Sequence, residues 1–225
     1  IVQVRTATVI EEDGVEISRL FHRSVLNPND DVSGQEPFVQ KILKNRQSNL
    51  RVVSGLGTST WDLMSGGDDK ANFGFIGAMG QAIPFALGLA MAQPDLRILL
   101  FTGDGDTLMS LGSIATVANH PVTNLTIVVM DNESYVETGS QPTATAGKTD
   151  LEIVAKGSGI SNSYTIKNEK DYDRIIKTIY EEEGPSLVVA KCQARATPLV
   201  FPHSFDGSVS INRFMSTPVS YTHLT

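Results

Sequence analysis

The chain has 225 residues, a hydrophobic fraction of 40% and a charged fraction of 19%, a composition that excludes a disordered chain and suits a globular domain with a sizeable core. Its formal net charge is −7, and no dense cluster of Lys and Arg is present, so neither nucleic acid nor an anionic membrane is expected as a partner. The single cysteine, Cys192, excludes an internal disulfide and suits a reducing, cytoplasmic environment.

The first region, residues 1–49, predicts a hairpin, a linker and a short helix. The segments TATVIEE and VEISRLF flank Asp13-Gly14, a pair that favours the tight turn of a β-hairpin. The polar stretch 27–36 predicts a linker, and PFVQKILKNR predicts a helix that begins at Pro37. Because the chain starts with Ile1 rather than Met, we expect that a preceding segment is missing.

The second region, residues 50–217, alternates strands with helices. Strands are predicted at 50–54, 97–102, 125–131, 163–167 and 186–191. Helices are predicted at 79–93, 107–119, 150–156 with Asp150 as N-cap, and 169–183. The strands are continuous apolar runs, which is typical of strands buried on both faces. The sequence therefore predicts an α/β fold, a doubly wound parallel sheet with helices on both faces.

One long apolar segment, Phe73 to Ala92, has about the length of a membrane span. It contains four glycines, Gln81 and Pro84, and it follows the acidic pair Asp68-Asp69. We interpret this segment as a buried helix that is entered through a glycine turn, and we expect no membrane span.

Two polar motifs end neighbouring predicted strands. Gly103-Asp104-Gly105 follows one strand and Asp131-Asn132 ends the next, and ligands of doubly wound sheets bind beyond such carboxyl ends. GDG by itself is more often an ordinary turn, but the paired placement favours a site. Asp104 and Asn132 offer hard oxygens that suit Mg²⁺ or Ca²⁺. One acid and one amide are too few for an all-protein site, so the motifs predict a metal that clamps a diphosphate.

The same residues resemble the cofactor motif of the thiamine-diphosphate enzymes, which begins with GDG and ends with NN. In this chain 25 residues, 106–130, separate the two parts, and Asp131 replaces the first Asn. The resemblance implies thiamine diphosphate and Mg²⁺ as cofactors, with the metal held by Asp104, Asn132 and the main-chain carbonyl of Ser134. It implies further cofactor contacts from Gly103, Gly105, Asp106, Ser134 and Tyr135.

Two other blocks carry the resemblance. FIGAMGQAIPFALGLAMAQPD is similar to the segment that holds the aminopyrimidine, which implies that the Gly77 carbonyl accepts a hydrogen bond from its amino group and that Met79 bends the cofactor. Without this context Met79 would be ordinary core filler. SGLGTSTWDL would be the exit loop of the first strand, with Gly57 and Thr58 near the diphosphate. A dinucleotide fingerprint is disfavoured there because its third glycine is missing.

Three later blocks are similar to the sulfopyruvate and phosphonopyruvate decarboxylases, namely LMSLGSIATVA, YVETGSQPTATAGKTDLEIVAKGSG and FPHSFDGSVSINRF. The resemblance implies decarboxylation of a small 2-oxo acid. The loop from Tyr135 to Thr143 would cover the thiazolium ring, with Glu137, Thr138 and Gln141 as candidate groups on the substrate side. These side chains are equally compatible with a solvated loop, so no catalytic residue is assigned with certainty.

The resemblance also implies a partner. In this superfamily a glutamate on a separate pyrimidine-binding domain activates the cofactor, and about 50 residues before Arg51 are too few for such a domain. We therefore expect a partner domain or α subunit that carries this glutamate, in an α2β2-like or larger oligomer. Two alternatives remain open: a carboligating enzyme similar to acetolactate synthase, and a non-catalytic subunit that binds thiamine diphosphate.

The last segment, residues 218–225, reads PVSYTHLT and continues no strand or helix pattern. One reverse translation of it resembles a transposon end used to prepare sequencing libraries. We expect a non-native tail, and the alternative is a native polar terminus.

Overall fold

The computed structural model describes residues 2–12, 15–26, 37–44, 46–120, 122–193 and 200–217. The predicted linker at 27–36 and the predicted tail at 218–225 lie outside these ranges. At the N-terminal end, β1 (Val2–Glu12) pairs antiparallel with β2 (Val15–Leu26), with Glu12 opposite Val15. The two strands of the predicted hairpin are thereby confirmed.

Eight further strands follow. In chain order they are β3 (Leu50–Ser54), β4 (Asn72–Gly74), β5 (Arg97–Gly103), β6 (Leu125–Asp131), β7 (Ser134–Tyr135), β8 (Gln141–Pro142), β9 (Asn162–Ile166) and β10 (Ser186–Lys191). Six of them form one sheet in the order β4-β3-β5-β6-β10-β9, and every pair in it is parallel. β7 and β8 form a small antiparallel pair.

The helices lie around this sheet. They are α1 (Pro37–Leu43), α2 (Thr58–Ser65), α3 (Ala82–Ala92), α4 (Asp104–Met109), α5 (Gly112–Ala118), α6 (Leu151–Ser158), α7 (Tyr172–Tyr180) and α8 (Gly207–Met215). Short 3-10 turns lie at 136–138, 144–146 and 169–171. Among the helices that the structure describes, none is long and apolar enough to cross a membrane; the apolar segment Phe73 to Ala92 ends in the 11-residue helix α3.

The two faces of the sheet bury separate cores because successive side chains of a strand point to opposite sides. In β5, Ile98 and Leu100 pack with α3, α5 and α6. Their neighbours Leu99 and Phe101 pack with α1, α2 and α7 on the other face. All four of these side chains are fully buried. The predicted doubly wound fold with helices on both faces is therefore confirmed.

Several elements differ from the sequence prediction. The helix predicted at 107–119 is two helices, because Ser110 leaves the helical conformation, and the first of them already begins at Asp104. The segment SGLGTSTWDL, predicted as an exit loop, contains the first six residues of α2. The N-cap residue of α2 is Gly57, which has no side chain that could cap the helix. The sequence therefore lacked the polar start signal that predicts a helix. The C-terminal helix α8 was not predicted; its Phe214 packs on Phe73 of the edge strand β4.

Candidate active site

The candidate site lies where the strand order of the sheet changes direction: the strand after β3 lies on one side of it, and the strand after β5 lies on the other. After β3 the chain turns into α2, which packs on one face of the sheet. After the neighbouring strand β5 it turns into α4 and α5, and α5 packs on the opposite face. The two exits diverge and leave a crevice at the carboxyl ends of β3 and β5. This crevice is the usual ligand-binding position in doubly wound sheets.

A cavity in this crevice gathers most of the predicted site residues. The predicted residues in its lining are Gly57, Thr58, Met79, Gly103, Asp104, Gly105, Asp106, Asn132, Ser134, Tyr135, Glu137 and Thr138. The lining also contains residues that the sequence did not single out, among them Ser59, Asp62, Met130, Val136, Cys192 and Gln193. Gly77 and Gln141 are not part of this lining: both are exposed, Gly77 in the bend after β4 and Gln141 in β8.

Asp104 is a buried carboxylate at the floor of this cavity. Only 2% of the residue is exposed. Its Oδ2 atom accepts hydrogen bonds from the hydroxyls of Thr143 and Thr145, the latter at 3.1 Å. Burial raises the pKa of Asp104 and the charge of Asp131 adds to the rise, although the two threonine hydrogen bonds oppose it. A cation bound here would favour the ionised carboxylate that the chain alone disfavours.

Asp131, which stands where the family motif has its first Asn, is engaged in the structure by other groups of the chain. Its Oδ1 atom lies 2.8 Å from the oxygen of the same Thr145 hydroxyl, whose single proton the two carboxylates share. Its Oδ2 atom lies 2.8 Å from Lys191 Nζ, and the same ammonium lies 2.7 Å from Glu133 Oε1. Partial burial lowers the pKa of Lys191, but the hydrogen bonds and charges of the two carboxylates outweigh this effect and raise it above the usual value.

The loop after β6 makes a sharp local turn. The Asn132 Oδ1 atom accepts a hydrogen bond of 2.9 Å from the backbone N–H of Ser134. Between them Glu133 has a φ of 61°, which non-glycine residues rarely adopt. The Ser134 hydroxyl is buried and has no hydrogen-bond partner among the described residues. A buried hydroxyl in the lining of a cavity is normally satisfied by something that enters the cavity.

Asp106 has a supporting position in the structure. Its Oδ1 atom accepts a hydrogen bond from the backbone N–H of Gly80, and its Oδ2 atom accepts one of 2.6 Å from Thr102. A Cβ atom at Gly55 would lie only 2.2 Å from the Asp106 carboxylate. The carboxylate therefore connects β5 with the turn that carries Met79, and Gly55 provides the space for it.

Gly105 allows the ring of Tyr135 to lie against the start of α4. A Cβ atom at Gly105 would meet Tyr135 Cε1 at 2.3 Å, a distance at which any side chain would displace the ring. Gly103 differs, because a Cβ atom there would meet nothing within 4 Å. The space in front of Gly103 therefore stays open to the cavity.

The three candidate substrate-side residues are placed differently: Glu137 and Thr138 line the cavity, and Gln141 does not. Glu137 lines the cavity, and its Oε1 atom accepts a hydrogen bond of 2.5 Å from Trp61 Nε1 of α2. Gln141 is exposed and folds back on Thr138, which donates a hydrogen bond of 2.9 Å to its Oε1 atom. Within the described structure, Glu137 thus lines the cavity from an exposed position, and Gln141 supports the loop.

The charge of the cavity favours a bound cation. Asp104, Asp106 and Glu137 line it, and no Lys, Arg or His belongs to the part of the lining that the structure describes. Throughout the described ranges, no group of three or more His, Cys, Asp or Glu is arranged to hold a metal on its own. A divalent cation that takes some ligands from the chain and others from a diphosphate and water fits this donor set.

The supporting residues Thr143, Thr145 and Lys191 were missed by sequence reasoning. Lys191 is the last residue of β10 and pairs in register with Asp131 of β6. The rule that ligands bind beyond the carboxyl ends of parallel strands could therefore have identified it. Thr143 and Thr145 lie in the loop TATAG, and their position above Asp104 depends on tertiary packing alone.

Comparisons with known proteins identify the family of this chain. Residues 62–190 match the family model described as thiamine pyrophosphate enzyme, C-terminal TPP binding domain. The matched segment includes the ends of β5 and β6 and therefore Asp104 and Asn132.

Two curated relatives are similar over most of the chain. Sulfopyruvate decarboxylase subunit beta from Methanocaldococcus jannaschii is 33% identical over 154 residues, which are 68% of this chain and 81% of the relative. Phosphonopyruvate decarboxylase from Streptomyces hygroscopicus is 30% identical over 190 residues, which are 82% of this chain. The match covers 47% of that relative, so this chain spans about half of its length.

A solved structure shares the fold. The 2-oxoglutarate:ferredoxin oxidoreductase from Magnetococcus marinus superposes with a TM-score of 0.59 at 22% sequence identity. The superposition covers 69% of this chain and 60% of that one.

Proposed function

Because this chain belongs to the thiamine pyrophosphate enzyme family, as a C-terminal TPP-binding domain, we propose that it is the diphosphate- and magnesium-binding half of a 2-oxo acid decarboxylase. The observation that carries the proposal is the buried carboxylate of Asp104 beside Asn132, at adjacent strand ends in an acidic cavity. A diphosphate can enter such a cavity only together with a cation that offsets both sets of negative charge.

Different residues of this chain would bind the metal and the diphosphate of the cofactor. Asp104, Asn132 and the carbonyl oxygen of Ser134 would hold Mg²⁺. Gly103 offers open space for close approach of the diphosphate, and Gly57 has a φ of 93° that only glycine adopts easily. Thr58, Gly105 and Tyr135 complete the walls around it.

Bound thiamine diphosphate supplies an electron sink for the bond that breaks when carbon dioxide leaves a 2-oxo acid. The chain's part is to orient the cofactor and to exclude water. Met79 lines the cavity from the turn that Asp106 secures. The loop 134–142 covers the opening, and Trp61 holds its Glu137 in place. Glu137 is therefore the candidate polar group on the substrate side, and Gln141 supports the same loop.

The proposed substrate is a small 2-oxo acid that carries a second acidic group. The support comes from the two relatives, which are named for sulfopyruvate and phosphonopyruvate. Both names describe a pyruvate with an added strong acid. Since the described part of the cavity wall is acidic, recognition of that group requires cationic residues from outside it.

The proposed partner is a pyrimidine-binding domain or α subunit that carries the activating glutamate, in an α2β2-like or larger assembly. A relative of similar length is named as a beta subunit, whereas the match covers about half of the phosphonopyruvate decarboxylase. Gly77 is exposed in the bend two residues before Met79, which lines the cavity, and it is accessible to such a partner.

The proposal is tested by co-purifying the chain with the product of the neighbouring reading frame. Release of carbon dioxide from sulfopyruvate, phosphonopyruvate and pyruvate is measured with thiamine diphosphate, with and without EDTA. We expect metal-dependent turnover of an acidic 2-oxo acid by the pair and none by the chain alone. Turnover by the isolated chain would contradict the partner requirement.

The same assay distinguishes the two alternatives. Formation of acetolactate from two pyruvate molecules would identify a carboligating enzyme. Tight cofactor binding without turnover in the assembled pair would identify a non-catalytic subunit. Failure of the pair to bind thiamine diphosphate at all would refute the proposal.

A further inference from the structure

Lys191 lies beside the proposed metal site without lining its cavity. It ends β10 and stands in register with Asp131, the last residue of β6. Its ammonium group binds the Asp131 carboxylate at 2.8 Å and the Glu133 carboxylate at 2.7 Å. The Asp131 side chain is 2% exposed, whereas Lys191 is 32% and Glu133 48% exposed. One cation thus binds a buried carboxylate and an exposed one.

The two carboxylates that Lys191 binds are the direct neighbours of Asn132. Glu133 has a φ of 61°, in the left-handed region that L residues rarely adopt. This conformation brings the Ser134 N–H within 2.9 Å of the Asn132 amide oxygen. Because Lys191 binds the side chains on both sides of Asn132, it restrains the backbone turn that presents the Asn132 and Ser134 oxygens.

The contact also neutralises a charge that would otherwise face the metal site. Asp131 approaches Asp104 through Thr145, whose hydroxyl lies 2.8 Å from one carboxylate and 3.1 Å from the other. A buried carboxylate without a cation is costly. Without Lys191, the Asp131 carboxylate could therefore attract the metal away from the position between Asp104 and Asn132.

We propose that Lys191 is a positioning residue of the metal site, which fixes the Asn132–Ser134 turn and keeps Asp131 from competing for the cation. The inference rests on the proposed function, because the metal is the one that the cofactor requires. It assigns a reason to the acid at position 131: the negative charge of Asp131 and the positive charge of Lys191 stand together on neighbouring strand ends.

The test measures Mg²⁺ affinity in the assembled protein with its partner at saturating thiamine diphosphate, by titration calorimetry. Lys191→Met keeps the unbranched, apolar stem of the side chain and removes the charged ammonium group. We expect the dissociation constant for Mg²⁺ to rise by about 10–100-fold, as is typical when a group that orients a metal ligand is lost. Lys191→Arg restores a cation of similar reach, and we expect it to keep the affinity within about threefold of the wild type.

Two further variants keep the test decisive. Lys156→Met removes another lysine that binds a carboxylate, Glu152 at 2.6 Å, on the surface of α6, and we expect unchanged Mg²⁺ affinity. Glu133→Gln weakens the same clamp without leaving a buried charge, so it serves if Lys191→Met does not fold; we expect a loss of severalfold.

The outcomes separate the inference from the proposed function. Mg²⁺ affinity of Lys191→Met or Glu133→Gln within twofold of the wild type would overturn the role of Lys191. Equal losses in Lys191→Met and Lys156→Met would also overturn it. Absence of Mg²⁺-dependent cofactor binding in the wild type would instead refute the proposed function.

Discussion

The indole N–H of Trp61 donates a hydrogen bond of 2.5 Å to the carboxylate of Glu137. Trp61 lies in α2 after β3, and Glu137 lies in the loop after β6, so the contact joins this cavity-lining loop to α2. Trp61 is only 7% exposed, and its ring packs edge-on against the Phe201 ring, with 5.5 Å between the two ring centroids. A rigid, packed donor therefore holds one side of an otherwise exposed loop.

The first prediction concerns this contact. Trp61→Phe keeps an aromatic ring against Phe201 and removes the donor, so we expect faster amide hydrogen exchange in residues 134–142 and a severalfold faster release of thiamine diphosphate. Glu137→Gln keeps an acceptor oxygen for Trp61, and we expect its exchange to match the wild type. Equal exchange in Trp61→Phe and the wild type would show that the hydrogen bond does not restrain the loop.

The sequence predicted which strand ends form this site, but it did not predict the side-chain contacts between its loops. Asp104 and Asn132 could be placed together because adjacent parallel strands end at the same edge of the sheet, and β5 and β6 are such a pair. The hydrogen bond between Trp61 and Glu137 joins residues 76 positions apart. No periodicity or local motif encodes such a contact, because it depends on how two loops pack.

In the fold, too, elements with strong local sequence signals were predicted more reliably than elements without them. The strand β10 and the Asp150 N-cap of α6 were predicted because long apolar runs and capping residues are local signals. The three-residue strand β4 is too short to display a period. α8 did carry a local signal that was missed, since the Asp206 carboxylate accepts a hydrogen bond of 2.8 Å from the N–H of Ser208.

The second prediction uses a variant of the proposed metal ligand Asp104 that removes only the charge of the side chain. Asp104→Asn keeps a carbonyl oxygen that can accept from Thr143 and Thr145, and it removes the buried charge. We expect the Mg²⁺ affinity to fall by more than about 100-fold, beyond the loss typical of an outer-shell group, while the metal-free protein stays at least as stable as the wild type. Calorimetry and thermal unfolding measure the two quantities, and retained Mg²⁺-dependent cofactor binding would refute the assignment.

The third prediction separates Asp106 from Asp104, two acids in the same helical turn. Asp106→Ala leaves the N–H of Gly80 and the hydroxyl of Thr102 without their acceptor. We expect the free energy of unfolding of the metal-free protein to fall by about 2–6 kcal/mol, since each of the two unsatisfied buried groups usually costs about 1–3 kcal/mol. Urea unfolding measures this loss. A stability equal to that of the wild type, with cofactor binding lost, would instead make Asp106 a direct ligand.

The last prediction compares two glycines of the same motif. Gly103 has an extended backbone with φ −88° and ψ 162°, and a Cβ atom there meets no atom of the chain within 4 Å. Gly103→Ala should therefore leave the melting temperature unchanged. If the diphosphate approaches this backbone, the new methyl group occupies its space, and we expect the affinity for thiamine diphosphate to fall at least about tenfold, which corresponds to about 1.4 kcal/mol.

Two matched variants control this comparison. Gly157→Ala also adds a methyl group in open space, on the exposed surface of α6, and should change neither quantity beyond a small gain in helix stability. Gly105→Ala places its Cβ atom 2.3 Å from the ring of Tyr135, so it should lower the melting temperature even without cofactor. Unchanged affinity in Gly103→Ala would mean that the diphosphate lies elsewhere in the cavity, because only a bound ligand can sense a methyl group that the chain itself does not touch.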